Sequence, residues 1–121
     1  MKKEYILGVT ILLCSKNIYA ATFVNPIDYK DTEENRQKVI EYIEEDTKRT
    51  YCETVDMCSP TTLRMMEKQN LDAFKYLTEV DSKELLQKVI NDYCNVGMCN
   101  YSTIRMMYDS NNKASKEKLT W

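Results

Sequence analysis

The feature that most constrains the fold of this chain is a segment that occurs twice. Residues 51–66 read YCETVDMCSPTTLRMM, and residues 93–107 read YCNVGMCNYSTIRMM. Aligned on their second cysteines, Cys58 and Cys99, the copies are 41 residues apart, and the first connector is one residue longer. A helical pattern precedes and follows each connector. Each copy therefore predicts a helical hairpin with one cysteine on either side of the bend.

Four of the five cysteines lie in the doubled segment, namely Cys52, Cys58, Cys94 and Cys99. Four cysteines in a small exported chain predict two disulfides. The local pairing joins the two cysteines of each connector, whereas the other two pairings join one hairpin to the other. Interhairpin bridges close loops of about 40 residues and constrain the unfolded chain more. The local pairing is favoured because each copy keeps its own two cysteines.

The first 20 residues have the order of a secretory signal peptide. A basic start precedes an apolar run at residues 5–14, and small residues end the segment at Ala20 and Ala21. A membrane-spanning helix needs about 20 apolar residues, twice the length of this run. We expect cleavage after Ala20 and export to a bacterial periplasm. Cys14 offers lipid anchoring as an alternative, which Leu13 disfavours because such sites require a small residue before the cysteine.

The rest of the chain predicts an all-α class with four or five helices in one small, disulfide-stapled domain. Helix-start signals occur at residues 31–34, 59–60, 81–84 and 100, where cap residues precede apolar residues at helical spacing. Gln69 and Asn70 predict a break within the second helix, and the last helix is expected to end near Tyr108. We predict a signal peptide at residues 1–20, an extended arm at 21–30 within one domain at 21–109, repeat units at about 39–77 and 85–108, and a polar, flexible tail at 110–121.

The composition disfavours an enzyme, and the sequence predicts neither a catalytic residue nor a cofactor. Histidine is absent, so the commonest general base is missing, and cysteines held in disulfides are not nucleophiles. No glycine-rich phosphate loop occurs, and no spacing marks a pair of carboxylates as catalytic. Residues 21–121 carry 14 basic and 18 acidic side chains. This mild excess of acid argues against nucleic acid as a partner.

Two kinds of metal site are alternatives to the structural interpretation of the repeat. Structural zinc is usually held by cysteine pairs of closer spacing, in reduced form and often with histidine, so zinc is disfavoured. The repeated methionines resemble a soft site for copper(I). At helical spacing, methionines more often fill the core, and this is what we expect here. The sequence therefore predicts no metal site.

Arg64 and Arg105 are the only charged residues that match between the two copies. One interpretation makes them residues that bind a partner. The other makes them structural, with each guanidinium bonded to a carbonyl or a carboxylate while its stem covers the core. The structural interpretation is favoured, and both arginines stay candidates for partner binding.

The signal peptide, the small helical domain and the paired cysteines of YCETVDMC and YCNVGMC together resemble the TrbM/KikA group of small conjugal-transfer proteins. The resemblance covers about residues 39–109. It implies an exported accessory protein of a plasmid-borne type IV secretion system, one that binds another protein in the periplasm. The alternative is a periplasmic immunity or inhibitor protein that blocks an effector that attacks the cell wall. Neither function implies stable insertion in the membrane after cleavage.

Overall fold

The computed structural model describes residues 21–121, and these form a small all-α domain with no strand. Its four α-helices are α1 (Glu33–Lys48), α2 (Pro60–Leu77), α3 (Lys83–Cys94) and α4 (Tyr101–Lys116). Disulfides join Cys52 to Cys58 and Cys94 to Cys99. The predicted class and the two bridged hairpins are confirmed, and the favoured local pairing is the one present. The predicted signal peptide, with Cys14, lies outside the described residues.

The two hairpins pack through α2 and α4, which run parallel to each other. Asn70 of α2 contacts Ser102 at the start of α4, and Tyr76 contacts Asp109 further along the same pair. Asn70 lies ten residues after Pro60, the first residue of α2. At 1.5 Å per residue along α2, the bend between α1 and α2 therefore lies about 15 Å outside the N-terminal end of α4, on the side away from the C-terminus of α4.

An irregular arm, residues 21–30, packs against all four helices. The ring of Phe23 lies 5.4 Å from that of Tyr42 in α1, and Tyr29 packs edge-on against Phe74 of α2 at 4.9 Å. The arm also reaches α3, because Asp28 accepts a hydrogen bond from Lys83 at 2.6 Å. Pro26 is fully buried. The arm was predicted as extended chain, but the sequence carries no periodic pattern that could reveal this packing.

Tyr101, the first residue of α4, lies at the centre of the core. It is 0 % exposed, and its ring lies within 4.9–5.7 Å of the rings of Phe23, Tyr42 and Phe74. Its hydroxyl donates to the carbonyl of Val24 at 2.8 Å and accepts from the Val24 N–H at 3.2 Å. Burial raises the pKa of Tyr101 well above its ordinary value and raises the pKa of Tyr42 to about 12.

We predict that the protein loses stability as the pH rises above about 10, the ordinary pKa of tyrosine. In the unfolded chain Tyr42 and Tyr101 release their protons near this pH, whereas in the folded chain they keep them to a higher pH. The unfolded state is therefore favoured as the pH increases. Urea unfolding followed by circular dichroism should show this fall, and Tyr42→Phe should make it shallower. Formation of tyrosinate at pH 10 by every tyrosine of the folded protein would contradict the prediction.

Helix α2 is continuous, so the predicted break at Gln69 and Asn70 is wrong. Asn70 is buried, and its Nδ2 donates to the carbonyl of Met66 at 2.9 Å within the same helix. Its Oδ1 accepts from the backbone N–H of Ser102 at 3.1 Å. The side chain therefore caps α4, a helix distant in sequence, rather than a second piece of α2. Asn100 supplies the local cap, accepting from the Thr103 N–H at 2.8 Å.

We predict that Asn70→Ala lowers the free energy of unfolding by about 1–3 kcal/mol, because it leaves the N–H of Ser102 without its acceptor in a half-buried position. Urea unfolding measures the change. Asn111→Ala is the matched control. Asn111 makes the same bond to the carbonyl four residues earlier, at 2.7 Å, but it is exposed and caps no other helix. The two variants should differ by at least about 1 kcal/mol, and equal losses would contradict a capping role for Asn70.

Helix α4 continues to Lys116, so the predicted end near Tyr108 is wrong and the tail without helix is residues 117–121. Residues 109–116 contain neither glycine nor proline, so no helix breaker interrupts the segment. Lys113 and Lys116 lie in the last turn, where positive charge interacts favourably with the helix dipole. The polar composition indicated a frayed tail because the segment has no apolar face of its own.

Candidate functional site

The two bends of the hairpins, closed by the disulfides, are the candidate site. We call residues 52–58 the first elbow and residues 94–99 the second elbow. In the second elbow, α3 ends in a left-handed turn at Gly97, whose φ is 77°. The Met98 N–H donates to the carbonyl of Tyr93 at 2.9 Å, and the Gly97 N–H donates to the carbonyl of Cys94 at 3.2 Å. These two bonds define a Schellman motif, and the left-handed turn expected at Gly97 is present.

The first elbow repeats this turn with one extra residue. Asp56 occupies the position of Gly97, 41 residues earlier, and also has a positive φ of 51°. The Met57 N–H donates to the carbonyl of Tyr51 at 2.7 Å, the counterpart of the bond between Met98 and Tyr93. The backbone of Arg49–Thr54 is π-helical, and its wider turn accommodates the inserted residue. The two elbows therefore share the positive φ and the hydrogen bond from the methionine N–H to the tyrosine carbonyl.

We predict that Gly97→Ala lowers the free energy of unfolding by about 1–2 kcal/mol, because an alanine at this φ brings its Cβ close to its own backbone. No other atom lies within 4 Å of a Cβ built at Gly97, so the cost is conformational. Gly97→Asn is the control, because asparagine tolerates the left-handed region. It should cost less than alanine in urea unfolding, and equal costs for both variants would contradict the explanation.

Both elbows expose the same apolar side chains. Val55 and Met57 in the first elbow are 49 % and 55 % exposed, and Val96 and Met98 in the second are 67 % and 48 % exposed. Each of these residues matches its counterpart at the 41-residue offset. The fold leaves them in solvent, although apolar side chains gain stability from burial. Each elbow therefore presents one valine and one methionine to solvent at matched positions.

Of the two Met-Met pairs, the predicted role of the methionines as core filler is confirmed for Met107 alone. Met66 and Met107 are half-buried, and Met107 packs against the core. Met65 and Met106 are more than half exposed. The methionines that precede the second cysteines are exposed as well. Helical spacing alone did not distinguish the inward from the outward residue of each pair, because two adjacent residues both lie near the edge of the apolar face.

The elbows differ in charge. The first elbow contains two exposed carboxylates, Glu53 and Asp56, and no basic residue, whereas the second elbow contains no charged residue. The first elbow therefore combines apolar side chains with negative charge, and the second presents a neutral version of the same turn.

The structure does not bring Arg64 and Arg105 together. Arg64 pairs with Glu67, and its side chain is 61 % exposed. Arg105 lies over the ring of Tyr76 at 4.0 Å from the centroid and 4.0 Å from a carboxylate oxygen of Asp109. Tyr76 is twelve residues beyond Arg64 along α2. Each arginine has a carboxylate one turn further along its own helix, and partner binding by either arginine stays a prediction.

Residues 21–121 provide no free thiolate and no cluster of metal ligands. All four cysteines of residues 21–121 are in disulfides, so none of them is a thiolate that could bind a metal or attack a substrate. Within the same range, no three side chains of histidine, cysteine, aspartate or glutamate lie close enough together to hold a metal ion.

Comparison with protein-family models, with curated proteins and with solved structures gives no match. No helix in the described part of the chain is both long and apolar enough to cross a membrane.

Proposed function

We propose that this chain is an exported protein-interaction module and an accessory component of a conjugative plasmid-transfer, or type IV secretion, apparatus in the periplasm. The observation that supports the interaction role is the pair of disulfide-closed elbows, each with an exposed valine and methionine at matched positions. A rigid turn presents such side chains without the cost of ordering a flexible loop, which favours binding. The assignment to a transfer apparatus rests on the resemblance to the TrbM/KikA group.

Two features support export. The disulfides belong to a compartment that does not reduce them, such as the periplasm. The second is a hydrogen bond made by Ala21, the residue that follows the proposed cleavage site. The Ala21 N–H donates to Oε2 of Glu45 in α1 at 2.7 Å. Cleavage after Ala20 would convert this amide into an α-ammonium group and the hydrogen bond into a stronger, charge-assisted one.

We predict that the protein recovered from the periplasm begins at Ala21 and lacks four hydrogens relative to its reduced sequence, as its two disulfides require. Mass spectrometry of the intact protein measures both properties at once. Free thiols in periplasmic material, or a retained N-terminal segment, would contradict the export proposal. A mass increased by lipid would instead identify Cys14 as an anchor.

Deleting the gene from its bacterial host should lower the frequency of plasmid transfer without slowing growth. The intact gene should restore transfer, whereas a gene with Met57→Gln and Met98→Gln should not, because each elbow then loses its exposed methionine. Ile40→Ser is the matched control, since Ile40 is an exposed apolar residue of α1, 37 % exposed, outside the elbows. This variant should restore transfer.

An unchanged transfer frequency in the deleted strain would refute the role in conjugation. If that strain lyses on exposure to an effector encoded beside the gene, the protein is the immunity or inhibitor protein of the alternative hypothesis. Failure of the control variant to restore transfer would show that the elbow substitutions act through general destabilisation instead of through binding.

A further inference from the structure

A second region of the chain has the chemistry that complements the first elbow. Residues 113–121 read KASKEKLTW and carry three lysines and one glutamate. Leu119 and Trp121 have no protein contact that covers them, with relative exposures of 103 % and 121 %. The segment is therefore basic and ends in two exposed apolar anchors. The first elbow offers the opposite charge, from Glu53 and Asp56, beside the exposed apolar side chains of Val55 and Met57.

The segment does not reach the first elbow of its own molecule. Helix α4 has 16 residues and is about 24 Å long, and the first elbow lies about 15 Å beyond its start. Trp121 follows Lys116, the last residue of α4, by five residues, which span at most about 17 Å. The distance to be covered is more than twice that reach. Contact between the two surfaces therefore requires two molecules.

We propose that the first elbow of one copy binds residues 113–121 of a second copy. Trp121 and Leu119 contact Val55 and Met57. The flexible thioether of Met57 adapts to the aromatic ring of Trp121. The lysines lie near Glu53 and Asp56, which steer the encounter and select the first elbow over the neutral second one. This inference rests on the proposed function only in taking the elbow as a binding surface, and it is independent of conjugation.

The positions of the two surfaces determine how the copies assemble. Elbow and segment are different surfaces at opposite ends of α4, so the interface is head-to-tail and each added copy leaves one elbow and one segment free. The interface is small, and residues 117–121 follow the end of α4 without helical structure, so fixing them in one conformation costs entropy and the affinity is weak, on the order of 0.1–1 mM. Association therefore becomes extensive where the protein is concentrated locally, as on an assembled apparatus.

Trp121 is the only tryptophan of the chain, so its fluorescence reports directly on the proposed contact. As the concentration of the oxidised protein rises from micromolar to millimolar, the emission should shift to shorter wavelengths while sedimentation shows growing oligomers. Added salt should weaken both effects, because part of the attraction is between exposed charges. Tryptophan emission that stays that of a solvated ring while the protein remains monomeric at 1 mM would overturn the proposal.

Variants locate the contact. Met57→Gln should weaken association about fivefold or more, and Glu53→Gln with Asp56→Asn about threefold or more at low salt. Asparagine tolerates the positive φ at position 56, so the turn survives. Met98→Gln in the neutral second elbow is the matched control and should change association less than about twofold. Equal losses from Met57→Gln and Met98→Gln would refute selection of the first elbow.

A peptide of residues 113–121 separates this proposal from the proposed function. It should bind the full chain carrying Trp121→Ser, with the tryptophan of the peptide as the fluorescent reporter, and should bind the same chain less well once Met57→Gln is added. If the peptide does not bind while Met57→Gln still reduces plasmid transfer, a different protein occupies the elbow and the proposal of self-association is wrong. If the peptide binds and Met57→Gln leaves plasmid transfer unaffected, the result supports self-association and contradicts the role in conjugation.

Discussion

The contact of Tyr101 with the arm is the interaction on which the rest of the fold depends. Its ring contacts aromatic residues from the arm, α1 and α2, while its own helix is α4. Its hydroxyl both donates to and accepts from the backbone of Val24, so a polar group at the centre of the core has its hydrogen bonds satisfied. A domain of about 100 residues buries a limited apolar area. Tyr101 is one aromatic residue that joins four segments of the chain within that area.

The sequence predicted what depends on local signals. Ser59 and Asn100 cap the helices that they were expected to begin, and Gly97 forms the left-handed turn after α3. The hairpins and the local bridges followed from the spacing of the cysteines. These features depend on residues within a few positions of each other, where propensity and hydrogen-bonding chemistry decide the conformation.

The remaining features depend on tertiary contacts that local patterns do not encode. Asn70 was interpreted as a helix breaker, yet its amide bonds two helices because α4 begins beside the middle of α2. The packing of the arm depends on Tyr101, which is 77 residues away from Val24. The outward direction of Met65 and Met106 follows from the placement of the second hairpin. Of the candidate site, the cysteines were predictable, but the exposed apolar side chains were not.

The choice of local bridges indicates what the disulfides do. In the chain-entropy description, a bridge across six residues stabilises the fold by about 2 kcal/mol, against about 4 kcal/mol for a bridge across about 40 residues. The chain therefore has the pairing that contributes less to global stability. That pairing fixes each elbow internally, with Met57 and Met98 directly before the bridged cysteines. Bridges in these positions constrain the backbone beside the exposed side chains, and the π-helical turn accommodates the inserted residue of the first elbow. The two copies of the repeat therefore have in common a disulfide-closed elbow with an exposed valine and methionine, and they differ in charge, because only the first elbow carries Glu53 and Asp56.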